Sequence, residues 1–235
     1  MKKIVLAVSL LAASLLPSHA QGSSRNISAR ILCLQHQQQI DSVRFGPGPE
    51  NLGKPQRLLI GDYSLPFPVE IAENSLRVFK DAGAADATPI ASTKIPADAN
   101  HVTLLFLPGT DTPYQIVPIP DASSDFKADH TRFINLAPIP VRFRIEDQLV
   151  DLPPGKLQTL TSLPKRDNFN MANVALASLI DKEWKVVSQT QWHFVAGNRL
   201  LILVYVRPGT QRLVSVSFKD RPGSEKAPNL ARTSD

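Results

Sequence analysis

Apolar and polar residues alternate with a period of two through short runs. The runs are broken at intervals of roughly ten residues by Pro, Gly, Asn or Asp. Val141, Phe143 and Ile145 alternate with Arg142, Arg144 and Glu146, which places one face of a strand on a core and the other in water. Two hairpins stand out. The apolar run Leu200 to Val206 meets an Arg-Pro-Gly-Thr turn at 207–210 and continues into an alternating run from Leu213 to Phe218. One hundred positions earlier, the run ending at Leu107 meets a second Pro-Gly-Thr turn at 108–110 and continues through Ile116 and Val117.

That echo divides the chain. The first half offers strands at 30–34, 40–45, 57–60, 67–71 and 76–80 before its hairpin at 101–119. Phe67, Val69 and Ile71 alternate with Pro66, Pro68 and Glu70. Prolines lack the N–H that a central ladder needs, so this strand belongs at an edge where a partner's strand could add. The same prolines also suit an edge protected against such pairing. Segments 46–55 and 81–88 read as loop.

The second half offers strands at 132–136, 141–145 and 156–160. Segment 171–180 has enough Ala and Leu for a helix, but Asp181-Lys182-Glu183 then makes a natural turn into Trp184, which favours a strand. Counted on from there, Trp184, Val186, Trp192 and Phe194 fall on one face. The pattern predicts an all-β fold: two tandem immunoglobulin-like β-sandwich repeats of about 100 residues, at 29–120 and 131–220, joined by a linker at 121–130. Whether the repeats are separate domains or one fused sandwich stays open at this level.

The ends add a compartment. Lys2 and Lys3, the apolar run Ile4 to Leu16 and the small residues Ser18 and Ala20 predict a secretory signal over 1–20. A leader at 21–28 and a disordered tail at 221–235 flank the repeats. The mature chain of 215 residues (235 less 20) has a lone cysteine, Cys33, and must fold on its core without an internal disulfide. No segment of the mature chain reaches membrane length. The formal charge of +5 falls to +3 without Lys2 and Lys3, and the basic residues are scattered, which argues against nucleic acid as a partner.

The second repeat resembles exported bacterial immunoglobulin-like β-sandwich domains of unknown function. The residues concerned are Arg132-Phe133-Ile134-Asn135-Leu136, Pro140-Val141-Arg142-Phe143 and Leu152-Pro153-Pro154-Gly155. The resemblance implies an envelope or surface setting and brings no catalytic residues with it.

Candidate chemistry is sparse. Cys33 and His36 are three apart, which on a strand puts them on opposite faces. Asp121, Asp125, Asp129 and His130 lack the spacing of a calcium loop or a zinc site. His36, His101, His130 and His193 are dispersed, Asp62-Tyr63-Ser64 has no histidine beside it, and no nucleophile elbow or phosphate loop occurs. Trp184 and Trp192 suit core packing, or a stacking platform for sugar if exposed. The expectation is a non-enzymatic periplasmic or secreted protein, without catalytic residues, metal or cofactor, that binds another envelope protein or serves as a structural component. A carbohydrate-binding module and a hydrolase with an unrecognised site are the alternatives.

Overall fold

The computed structural model describes residues 24–81, 88–122, 124–207 and 209–222. The proposed signal, most of the tail and most of loop 81–88 lie outside them. The described residues form strands without any helix. The first half holds β1 (Ser24–Cys33), β2 (Ser42–Gly46), β3 (Gln56–Arg57), β4 (Phe67–Ala72), β5 (Ser75–Lys80), β6 (Ala91–Lys94), β7 (His101–Pro108) and β8 (Tyr114–Pro120). The second holds β9 (Thr131–Asn135), β10 (Val141–Ile145), β11 (Gln148–Leu152), β12 (Leu157–Leu160), β13 (Met171–Ile180), β14 (Glu183–His193), β15 (Arg199–Arg207) and β16 (Arg212–Asp220).

The pairing order repeats. In the first half β3-β2-β5-β6 and β4-β1-β7-β8 are two layers joined at a corner, because β4 and β5 pair only at Ala72 and Ser75. In the second half β11-β10-β13-β14 and β12-β9-β15-β16 are separate sheets in the same order. In both halves the opening strand runs parallel to the seventh, β1 beside β7 and β9 beside β15. This is not the immunoglobulin order, in which the opening strand lies in a sheet with strands B, E and D. Both halves are of immunoglobulin size, but each wraps its first strand against its last hairpin.

Segment 171–180 is a strand, and its turn residues Asp181 and Lys182 both adopt positive φ, 52° and 66°. That is the backbone a two-residue hairpin loop requires. The leader expected at 21–28 is shorter than read from composition. Residues Ser24 to Ala29 pair with β4, and the Arg25 guanidinium donates to the Ala99 and Pro96 carbonyls at 2.8 and 2.7 Å.

Each half has its own core. One contains Ile31, Val43, Ile71, Val78, Leu104 and Phe106, the other Phe133, Phe143, Val174, Leu176, Ile202 and Phe194. A third buried cluster joins them: Leu32, Leu105 and Ile119 from the first half with Ile134, Leu201, Leu203 and Phe218 from the second. The sheets containing β1 and β9 therefore stack back to back, and the molecule has four sheet layers.

Candidate partner-binding edge

The backbone of β1 decides what β4 offers outward. The Ser28 N–H donates to Asn100 O at 2.8 Å and the Leu34 N–H to Phe106 O at 3.1 Å, so alternate residues of β1 turn toward β7. The intervening residues Arg25, Ile27 and Ala29 turn toward β4, opposite Ile71, Val69 and Phe67. Phe67, Val69 and Ile71 are thus engaged twice, by backbone to β1 and by side chain to the core, with Val69 and Ile71 buried and Phe67 partly so. The residues whose backbone faces away are Pro68 and Glu70. Pro68 has no N–H to leave unpaired, which explains its place here. Glu70 presents both N–H and C=O.

Beside this edge lies a cavity of about 640 Å³ bordered by Phe45, Leu52, Lys54, Phe67, Val69 and Glu70. Its far wall is the Pro/Gly-rich loop 46–55, which is folded back on β2. The Gly53 N–H donates to Phe45 O at 2.8 Å, and a Cβ on Gly46 would stand 2.1 Å from the Asn51 carbonyl oxygen. Phe67 and Phe45 rings meet at 5.3 Å across the floor. An extended segment laid along Glu70 could exchange backbone hydrogen bonds and put an apolar side chain into this cavity.

The two tryptophans do not share a face. The β13–β14 register shifts between Leu176 and Ala177, leaving Val187 as the extra residue of a β-bulge. Beyond the bulge Trp192 packs inward, 5.5 Å from the Phe143 ring and 6.3 Å from Phe194. Before it Trp184 points to the outer face, where the Arg142 guanidinium covers its ring at 4.2 Å. Neither indole is a bare platform.

Sequence reasoning missed the charged cluster at the seam between the halves. Arg30 donates to both Asp220 oxygens, at 2.8 and 3.0 Å, and lies 3.6 Å from Asp121. Arg199 reaches Asp121 at 3.1 Å and Asp220 at 2.6 Å. All four side chains are at most 8% exposed. Burial disfavours the Asp220 charge, yet the hydrogen bonds and charges of Arg30 and Arg199 outweigh it and hold the carboxyl below its ordinary range. Arg30 is likewise held protonated against its own burial by Asp220 and Asp121. Arg132, the counterpart of Arg30 on β9, is desolvated by more than Asp121 and Asp125 offset, with Arg199 nearby, and its pKa is lowered. It donates to Pro120 O and Asp125 O. The residues expected to form a plain linker thus close the seam: Asp121 accepts from Thr103 at 2.7 Å, and Phe126 lies beneath Arg132 and Arg199 at 4.3 and 4.9 Å.

No family model matches the chain and no curated protein matches it. Among solved structures it is similar to a protein of Bacteroides uniformis provisionally described as a cell adhesion protein. The identity is 10%, with 87% of this chain and 99% of that one covered, and the TM-score is 0.25. A score that low transfers neither fold nor role.

The other sequence candidates stay apart. The Cys33 thiol is buried and points to Gln35 O at 3.3 Å, and burial pushes its pKa up to about 11. His36 Nε2 bonds Leu58 O at 2.7 Å. Asp129 accepts from the Gly197 N–H at 2.7 Å, and His130 Nδ1 from the Lys127 N–H at 3.3 Å. Asp62-Tyr63-Ser64 extends the β1 edge: Ser64 Oγ accepts from the Ile31 N–H at 2.8 Å, and Tyr63 lies under Arg30 at 4.3 Å. Among the described residues no group of three or more metal-ligating side chains forms.

Proposed function

We propose that this is a non-enzymatic, exported protein of the cell envelope that holds another protein by accepting an extended segment at the β4 edge. The observation that carries the reading is the adjacency of two features. Glu70 offers an N–H and C=O pair outward, and the cavity of about 640 Å³ opens directly beside it. The first supplies the hydrogen bonds of strand addition, the second a pocket for side-chain selection. Pro66 and Pro68 restrict pairing to the short stretch around Glu70, which favours a specific short segment over indiscriminate sheet extension. Export rests on the signal read at 1–20.

The test is capture of envelope proteins by the wild type and by Glu70→Pro, which removes the outward N–H while leaving every bond to β1 in place. A partner retained by the wild type and lost by Glu70→Pro, with an unchanged unfolding transition, supports the reading. So does slowed hydrogen exchange of the Glu70 amide when that partner is added. A partner retained equally by both proteins, or none retained by either, overturns it.

A further inference from the structure

We infer that the outer face of the β11-β10-β13-β14 sheet is a binding site for a carboxylate-bearing oligosaccharide. This is independent of the β4 reading, since the two sites lie in different halves of the molecule. The argument begins with β13. Its residues Ala172, Val174 and Leu176 point into the core, so Asn173, Ala175 and Ala177 point out. An outward-facing sheet position ordinarily leaves its side chain in water. Ala175 and Ala177 are nevertheless only 8% exposed each, because longer side chains rise on both flanks. Ala175 forms the floor of a furrow between β10 and β14, and its cavity measures about 530 Å³.

The walls are planar polar groups. Arg144 stands on β10 and Glu146 just past its end, Gln189 and Gln191 on β14, and Asn173 at the end of the floor. Three of them form a ladder across the strands. Asn173 Nδ2 donates to Glu146 Oε1 at 3.0 Å, and Gln191 Nε2 donates to Asn173 Oδ1 at 3.2 Å. The ladder fixes their orientation before any ligand arrives, which lowers the ordering cost of binding. Flat donor–acceptor side chains at fixed spacing match the adjacent hydroxyls of a pyranose ring. At the other end Arg142 is committed to Asp151 and Trp184, closing the furrow there.

The charge selects the sugar. Glu146 Oε1 accepts from both the Asn173 side chain and the Asn173 backbone N–H, which leaves Oε2 to accept from a sugar hydroxyl. Among the described residues Arg144 makes no hydrogen bond or ion pair, and its guanidinium can take a carboxylate in bidentate fashion. A neutral glycan would leave that charge unused. An apolar peptide would find almost no apolar wall.

The test is an array of neutral and carboxylate-bearing glycans, followed by calorimetric titration of the best-retained oligosaccharide. Wild type should retain acidic glycans preferentially, with affinity falling as salt rises. Arg144→Gln should weaken binding by roughly ten-fold or more. Ala175→Leu, which fills the floor from the solvent side, should abolish binding with melting temperature unchanged. Glu70→Pro should bind glycan like the wild type, which separates this site from the β4 edge. Retention of no glycan, of neutral glycans only, or undiminished binding by Ala175→Leu overturns the inference.

Discussion

Arg30 on the opening strand of the first sandwich grips Asp220 at the close of the last strand of the second, across 190 residues of chain. The pair is buried and bidentate, and Arg199 shares the same carboxylate. Breaking such a pair from one side leaves guanidinium charge without its counter-charge. Asp220→Asn should cost about 3 kcal/mol, the low end of the range for buried pairs because Asp121 remains beside both arginines. The pH sign follows from the depressed Asp220 pKa. Its contribution is complete above the unfolded carboxylate value near 3.9 and is lost as pH falls through the lower folded value. Urea denaturation from pH 5 to pH 2 should therefore show a steep loss below about pH 4 in wild type and a shallower one in Asp220→Asn.

The bulge at Val187 makes the two tryptophans unequal. Trp192→Ala removes half-buried aromatic packing from the second core and should cost about 2–3 kcal/mol. Trp184→Ala removes a half-buried cation–π contact on the outer face and should cost about 1 kcal/mol. Equal losses in chemical denaturation would contradict the register.

The matching Pro-Gly-Thr turns use glycine for different reasons. A Cβ on Gly109 would stand 2.1 Å from the Thr112 carbonyl oxygen, whereas Gly209 sits in open space with φ of +80°. Gly109→Ala should cost about 1–3 kcal/mol through backbone displacement. Gly209→Asn should be nearly neutral, because Asn tolerates the left-handed region. Thermal melts of the two variants separate the causes.

Cys33 is fully buried, with a thiol pKa of about 11. At pH 8 the native protein should not react with an aromatic disulfide reagent, and it should release one equivalent once unfolded in guanidinium chloride. Rapid labelling of the folded protein would show that β1 opens.

The layers were partly legible in the sequence. Val141, Phe143 and Ile145 alternate with charged residues because β10 has one wet face. Ile31-Leu32-Cys33-Leu34 and Leu200 to Val206 run apolar without alternation because β1 and β15 are covered on both faces, by a core and by the seam. That contrast marks the central sheets, yet it reads equally as ordinary core strands until the seam is seen. The bulge left no trace, since Val186-Val187 suits either register and one extra residue reverses every later side chain. The ion cluster was hidden by distance, because nothing local links Arg30 to Asp220. The prolines at 66 and 68 fit the sparse pairing of β4 on its second side, where it meets β5 only at Ala72 and Ser75. Which backbone groups face outward was not readable, because that depends on how β1 divides its bonds between β4 and β7.

The parallel pairing of β1 with β7 sets an order of events as the polypeptide emerges, N-terminal end first. A nascent chain cannot complete its first unit until some eighty residues beyond Ser24 have appeared, since β7 begins only at His101. The grip on Arg30 waits longer still, for the arrival of Asp220, 190 residues further along the chain. Until then the first unit carries an uncovered greasy back, and its Arg30 charge is met by Asp121 alone. That interval is the period in which the newborn molecule has most need of a chaperone.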